Sequence, residues 1–226
     1  MEQGKHDEAL QKFVWCYDHG VEVNPKFART RDTRVTMYLV SLGKKLPAAR
    51  VALVERRDAL TTKVKADVAK ADKPMLQQLA YLDLAVSDDS AILENLKALA
   101  SNKTANSAYA EPLIERLVEG KHYGEVVAAD NFEEGVATLE KALRNVEKMR
   151  RAGANDEKAQ AKIKASALKS VILIEAYAGA GEVKRAKQLG DLLIEICDDA
   201  EVRTKLAERL RRAGADPLAA KYAPKK

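Results

Sequence analysis

Apolar residues recur along this chain at i, i+3 and i+4, and run after run is closed by glycine, proline or asparagine. Leu10, Phe13, Val14, Tyr17 and Val21 make one such stripe, ended by Asn24-Pro25. Val35, Tyr38, Leu39 and Leu42 make the next, with Gly43 placed to cap it in the left-handed conformation. That spacing is the 3.6-residue period of an amphipathic helix. Sustained alternation of Val, Ile, Thr and aromatics is missing, and no Asn-Gly or Asp-Gly hairpin signal separates such runs. Aromatics are only 5% of residues and prolines number six, so strong helix formers dominate. The expected fold class is all-α.

Further punctuation places the remaining helices. Pro47 opens a third helix to about Val64, and the polar, Ala-rich stretch Lys65–Lys73 reads as a loose helix or linker. Pro74 starts a helix to Val86, and Ser87-Asp88 caps one over Asp89–Ala100. Ser101–Ser107 is the most loop-like stretch, and Ala108–Glu119 reads as a helix ending at Gly120. A short helix to Ala129 follows, and Asp130-Asn131 caps a longer one to Arg151. "RRAGAN" at Arg150–Asn155 and "RRAGAD" at Arg211–Asp216 are equivalent corners, with cations at a helix C-terminus, a glycine and a capping residue. Between and after them lie helices over Asp156–Ala180, Val183–Cys197 and Asp199–Ala213, with a tail helix from Pro217. The expectation is eleven or twelve helices in one domain over residues 1–226, any subdivision falling near residues 101–107.

"AYAGAGEVKRAKQL", Ala176–Leu189, could be read as a phosphate-binding turn. A dinucleotide fingerprint needs a third glycine where Lys184 stands and a strand before Gly179, and a phosphate loop needs Gly-Lys-Ser/Thr. The residues before it instead carry Leu168, Val171, Ile172 and Glu175 at helical spacing, so the glycines form a helix-to-helix corner. The same pattern, Ala five residues after Gly, recurs at Gly4–Leu10, Gly43–Ala49 and Gly181–Lys187, the first two 39 residues apart.

This arrangement resembles the tetratricopeptide repeat family, whose helix–turn–helix units of 34 residues stack into a solenoid. The match is best where Leu173, Tyr177 and Ala186 fall on the family's Leu, Tyr and Ala positions with Gly181 at the turn. It departs at Gly190, where the family has an aromatic, at Leu193 for Ala, and at Asp198 for Pro. Ala9, Phe13 and Cys16 form half a repeat, and Lys65–Tyr123 departs in spacing. The resemblance implies an α-solenoid of helical hairpins that binds a protein or peptide in its concave groove. The first helix of each pair would line that groove, through Thr33 and Met37 in one repeat and Leu168, Val171 and Glu175 in another. Gly4 would end a first helix, so Met1 is expected to be an expression start with upstream sequence removed. As it stands the chain would be cytoplasmic, or exported if a leader preceded it.

Chemistry is sparse. Cys16 and Cys197 stand 181 residues apart and read as small apolar residues, and the three histidines, His6, His19 and His122, form no metal-ligand spacing. Asp88-Asp89 and Asp198-Asp199 each precede an apolar run and read as helix caps. Trp15 is expected to contact a neighbouring repeat. No catalytic motif is present, so the expected role is non-enzymatic, without cofactor or metal. No apolar run approaches the roughly 20 residues of a membrane span. Lys141–Lys226 holds 20 Lys/Arg against 12 Asp/Glu, and the alternative role is nucleic-acid or polyanion binding through this basic third.

Overall fold

The computed structural model describes residues 2–151 and 157–224, and the side chains of 5–148 and 157–224. Helix of one kind or another makes up 87% of the chain, with no strand among the described residues, so the fold is all-α. The residues divide into two compact units, Met1–Leu113 and Ile114–Lys226.

Unit one holds α1 (Glu2–Val23), α2 (28–43), α3 (Pro47–Ala66), α4 (Lys73–Val86), α5 (Asp89–Leu99) and α6 (Lys103–Ala110). Prolines in the first turn begin α3 and α4, as a ring that fixes φ and lacks an N–H should. The side chains of Asp72, Asp88 and Asn102 accept the free N–H groups of Met75, Ala91 and Ala105 at the starts of α4, α5 and α6. That last cap turns part of the expected loop Ser101–Ser107 into helix. α2 lies against α3 and α4, and α4 against α3, α5 and α6, so α2 and α4 each meet the next rod and the next but one. Tyr17, Val35, Leu39, Leu53, Leu82 and Val86 form the resulting core.

Unit two holds α7 (Ile114–Glu119), α8 (Tyr123–Ala129), α9 (Phe132–Arg151), α10 (Glu157–Gly179), α11 (Val183–Ile196), α12 (Ala200–Arg212) and α13 (Asp216–Tyr222). α10 lies against α7, α8, α11 and α12; α9 packs on α11, and α12 on α13. Three corners share one geometry. At the ends of α7, α10 and α12, the N–H of His122, Glu182 and Ala215 reaches back to the carbonyl of Leu117, Tyr177 and Leu210. The preceding residue takes positive φ, 60° at Lys121, 83° at Gly181 and 77° at Gly214. This is the Schellman closure of a helix end, and two of its three left-handed residues are the expected glycines.

Four expectations are corrected. Gly43 is the last residue of α2 and is not left-handed, because Lys44 continues the turn with φ −68°. Gly4 lies inside α1, not at a corner. Ser87 takes positive φ at the end of α4, leaving Asp88 alone as the cap of α5. Trp15 is 55% exposed with its ring beside His19. The turn of the expected corner Arg150–Asn155 lies outside the described residues.

Candidate functional site

Side chains of α7, α10 and α12 border an open groove of about 710 Å³ in unit two. Leu168 and Ile172, both half-buried, supply its apolar floor from α10, and Ala200 and Thr204 face them from α12. Charges of both signs ring it: Lys169, Lys205 and Arg209 with Glu115, Glu201 and Glu208. Lys205 pairs with Glu208 at 3.7 Å, and Glu201 with Lys164 at 2.8 Å. All three contributing helices are first members of a corner-joined pair, because α7, α10 and α12 each run into a Schellman turn.

Beside the groove Glu175 is fully buried. Arg212 donates to it through Nε at 2.5 Å and Nη2 at 2.8 Å, Arg209 through Nη1 at 3.0 Å, and the Tyr123 hydroxyl at 3.2 Å. A buried carboxylate requires such partners, since an unpaired one would be strongly destabilising. Burial and the Glu175 carboxylate together raise the Tyr123 hydroxyl above its ordinary range. Tyr123 also packs against Gly179, where a Cβ would come within 2.2 Å of its ring. That close approach is the physical reason for the first glycine of "AGAG".

Unit one buries a second acid. Asp83 is fully buried, accepts from Tyr109 at 2.6 Å and Asn95 at 3.0 Å, and has Arg57 Nη1 3.5 Å from its other oxygen. Burial raises its pKa, against the lowering effect of those partners. Burial likewise pushes Tyr17, which accepts from Gln78 and lies under the Arg31 and Arg56 guanidiniums, up to about 12.

The five residues expected to line a groove part company. Leu168 lies on the groove floor. Val171 is 1% exposed and packs in the unit-two core, and Glu175 is occupied as described, so neither presents a surface to a partner. Both sit on α10's inward face, which the expected assignment had turned outward. Thr33 lies in a π-helical segment, Arg31–Val35, with its hydroxyl on the Arg29 carbonyl at 2.7 Å. Met37, one turn on, is 59% exposed.

The face around Thr33 and Met37 carries residues the sequence reading missed. Tyr38 was counted in the apolar stripe of α2, yet it is 48% exposed, stacked on Phe13 with centroids 5.3 Å apart and rings 19° from parallel. Arg29, Arg34, Lys44 and Lys45 are exposed along the same stretch. The signal was local: seven Lys/Arg and one Asp lie between Lys26 and Arg50, a density that averaging over the first 140 residues hides.

Among the described residues no group of three or more His, Cys, Asp or Glu could hold a metal ion. No helix among them is long and apolar enough to cross a membrane. The chain matches no protein-family model, no curated protein and no solved structure.

Proposed function

We propose that the chain is a non-enzymatic scaffold of tetratricopeptide-like helical hairpins, and that it holds a protein or peptide segment in the unit-two groove. The observation that carries this reading is the lining of that groove by first helices alone, with Leu168 and Ile172 as an apolar floor inside a ring of charges. Helices that meet the next and the next but one, as α2, α4 and α10 do, are what stacked hairpins require, because each apolar stripe can be hidden only on its neighbours. An apolar base with a polar rim is also the general anatomy of a recognition site.

The polyanion alternative is weaker because many cations of the basic third already have carboxylate partners. Arg209 and Arg212 hold Glu175, Arg203 holds Asp198, Lys187 and Lys221 hold Asp191, Arg185 holds Glu182, and Lys205 holds Glu208. An arginine that must leave a carboxylate to meet a phosphate gains little by the exchange.

Peptides selected from a random library on the intact chain provide the test, with affinities read by fluorescence anisotropy. Leu168→Ala and Ile172→Ala should each weaken binding about 5- to 10-fold, the effect of losing one partly buried aliphatic contact. A library that yields no binder, or binders indifferent to both changes, rejects the groove.

A further inference from the structure

The outer face of α2 brings together an aromatic platform and unpaired cations. Phe13 backs one face of the Tyr38 ring, and Tyr38 remains 48% exposed. Met37 lies beside it, 59% exposed. Arg34 precedes Tyr38 by one helical turn, Lys44 and Lys45 follow at the end of the helix, and Arg29 stands at its start. None of these four cations forms an ion pair or hydrogen bond through its side chain among the described residues, in contrast to many of those of the basic third. The only acid of the segment, Asp32, is buried on the inward face of the helix and held by Arg31 at 2.7 Å, so it does not cancel the field outside.

We propose that this face binds single-stranded nucleic acid, with a base stacked on Tyr38 and the backbone phosphates on Arg29, Arg34, Lys44 and Lys45. Single strands are favoured over duplex because a flat, backed ring has use only for an unstacked base. Anionic membrane is disfavoured because the large apolar residues of α2, Val35, Leu39 and Leu42, are buried in the unit's core, and a membrane-lying helix needs them outside. An acidic protein would satisfy the cations but make no particular use of the Phe13–Tyr38 stack. From Arg29 to Lys45 the chain spans about 24 Å, enough to follow a few nucleotides.

The test is anisotropy of labelled oligothymidylate and oligouridylate about 12 nucleotides long, titrated with the full chain. Four phosphate contacts on a single strand imply roughly a 50-fold loss of affinity between about 50 and 200 mM salt. Tyr38→Ala should weaken binding about fivefold or more, while Tyr38→Phe, which keeps the platform, should stay within about twofold. Arg34→Gln with Lys44→Gln, both at exposed positions, should flatten the salt dependence; Lys184→Gln with Arg211→Gln in the basic third should leave it unchanged. Circular dichroism of each variant checks that α2 persists, and the charge variants decide the outcome if Tyr38→Ala fails to fold. The proposal is overturned by no binding at low salt, by duplex DNA or polyglutamate competing as well as single strands, by phosphatidylserine vesicles binding where oligonucleotides do not, or by equal affinity of the Tyr38→Ala and parent chains.

Discussion

Replacing Glu175 by alanine separates a residue that holds the fold from one that meets a partner. Its carboxylate is the shared acceptor of four hydrogen bonds, three from Arg209 and Arg212 and one from Tyr123. Truncation leaves two guanidiniums facing each other without the anion between them. The Arg212 side chain is 40% exposed and can turn to water, so little of the loss falls on it. Arg209, with 16% of its side chain exposed, retains an uncompensated charge. Breaking a buried pair from one side typically costs about 3–5 kcal/mol, and the partial escape of Arg212 points to the lower end, about 3 kcal/mol. Urea unfolding followed by circular dichroism, with hydrogen exchange of the α10 and α12 amides, measures it. Glu175→Met with Arg209→Met removes the stranded charge as well and should recover much of the loss. A penalty below about 1 kcal/mol, in the range of surface substitutions, or no recovery in the double variant, would refute the structural role.

Other perturbations follow from the same geometry. At Gly190 a Cβ would meet the Tyr222 ring at 2.7 Å, so Gly190→Ala should lift α13 and cost about 1–3 kcal/mol, seen as faster exchange over Asp216–Tyr222; unchanged exchange would contradict that packing. Lys121 holds φ 60° at a position that glycine fills in the two sister corners, so Lys121→Gly should raise stability by up to about 1 kcal/mol in thermal melts, and a loss of stability would argue against the corner. Burial opposes ionisation of Asp191, but Lys187, Lys221 and Tyr222 outweigh it and hold its pKa at about 2, below the ordinary 3.8. A depressed acid stabilises the fold above the unfolded pKa, so this contribution should be lost as pH falls from about 4 towards 2, and Asp191→Asn should abolish that acid limb. Tyr17 has the opposite sign: with its pKa raised to about 12, its contribution is complete below pH 10 and lost as pH climbs from 10 to 12, and Tyr17→Phe should remove its share of the alkaline transition.

Helix positions were legible wherever the cause was local. Pro47 and Pro74 in first turns, Asp88 and Asp199 as caps, and Gly181 and Gly214 as left-handed corners are each decided by a few neighbouring residues. Asn102 escaped notice because a cap and a loop draw on the same residue types. The site was harder to read. Glu175 looks like a surface acid until Arg209 and Arg212 arrive from a helix 34 and 37 residues later, and no periodicity within α10 announces them. Gly190 is small because Tyr222, from α13, fills the space a side chain there would take. Tyr38 fits the apolar spacing of α2, but Val35, Leu39 and Leu42 fill the buried face and Tyr38 falls at its edge, 48% exposed.

Partner binding in the unit-two groove is tested most directly by hydrogen exchange and a photo-crosslinker placed at Leu168, with and without a library-selected peptide. Peptide should crosslink at that position and slow exchange along the facing stretches of α10 and α12. Protection confined to other helices, with no crosslink at Leu168, would contradict a groove built from the first helices of the pairs.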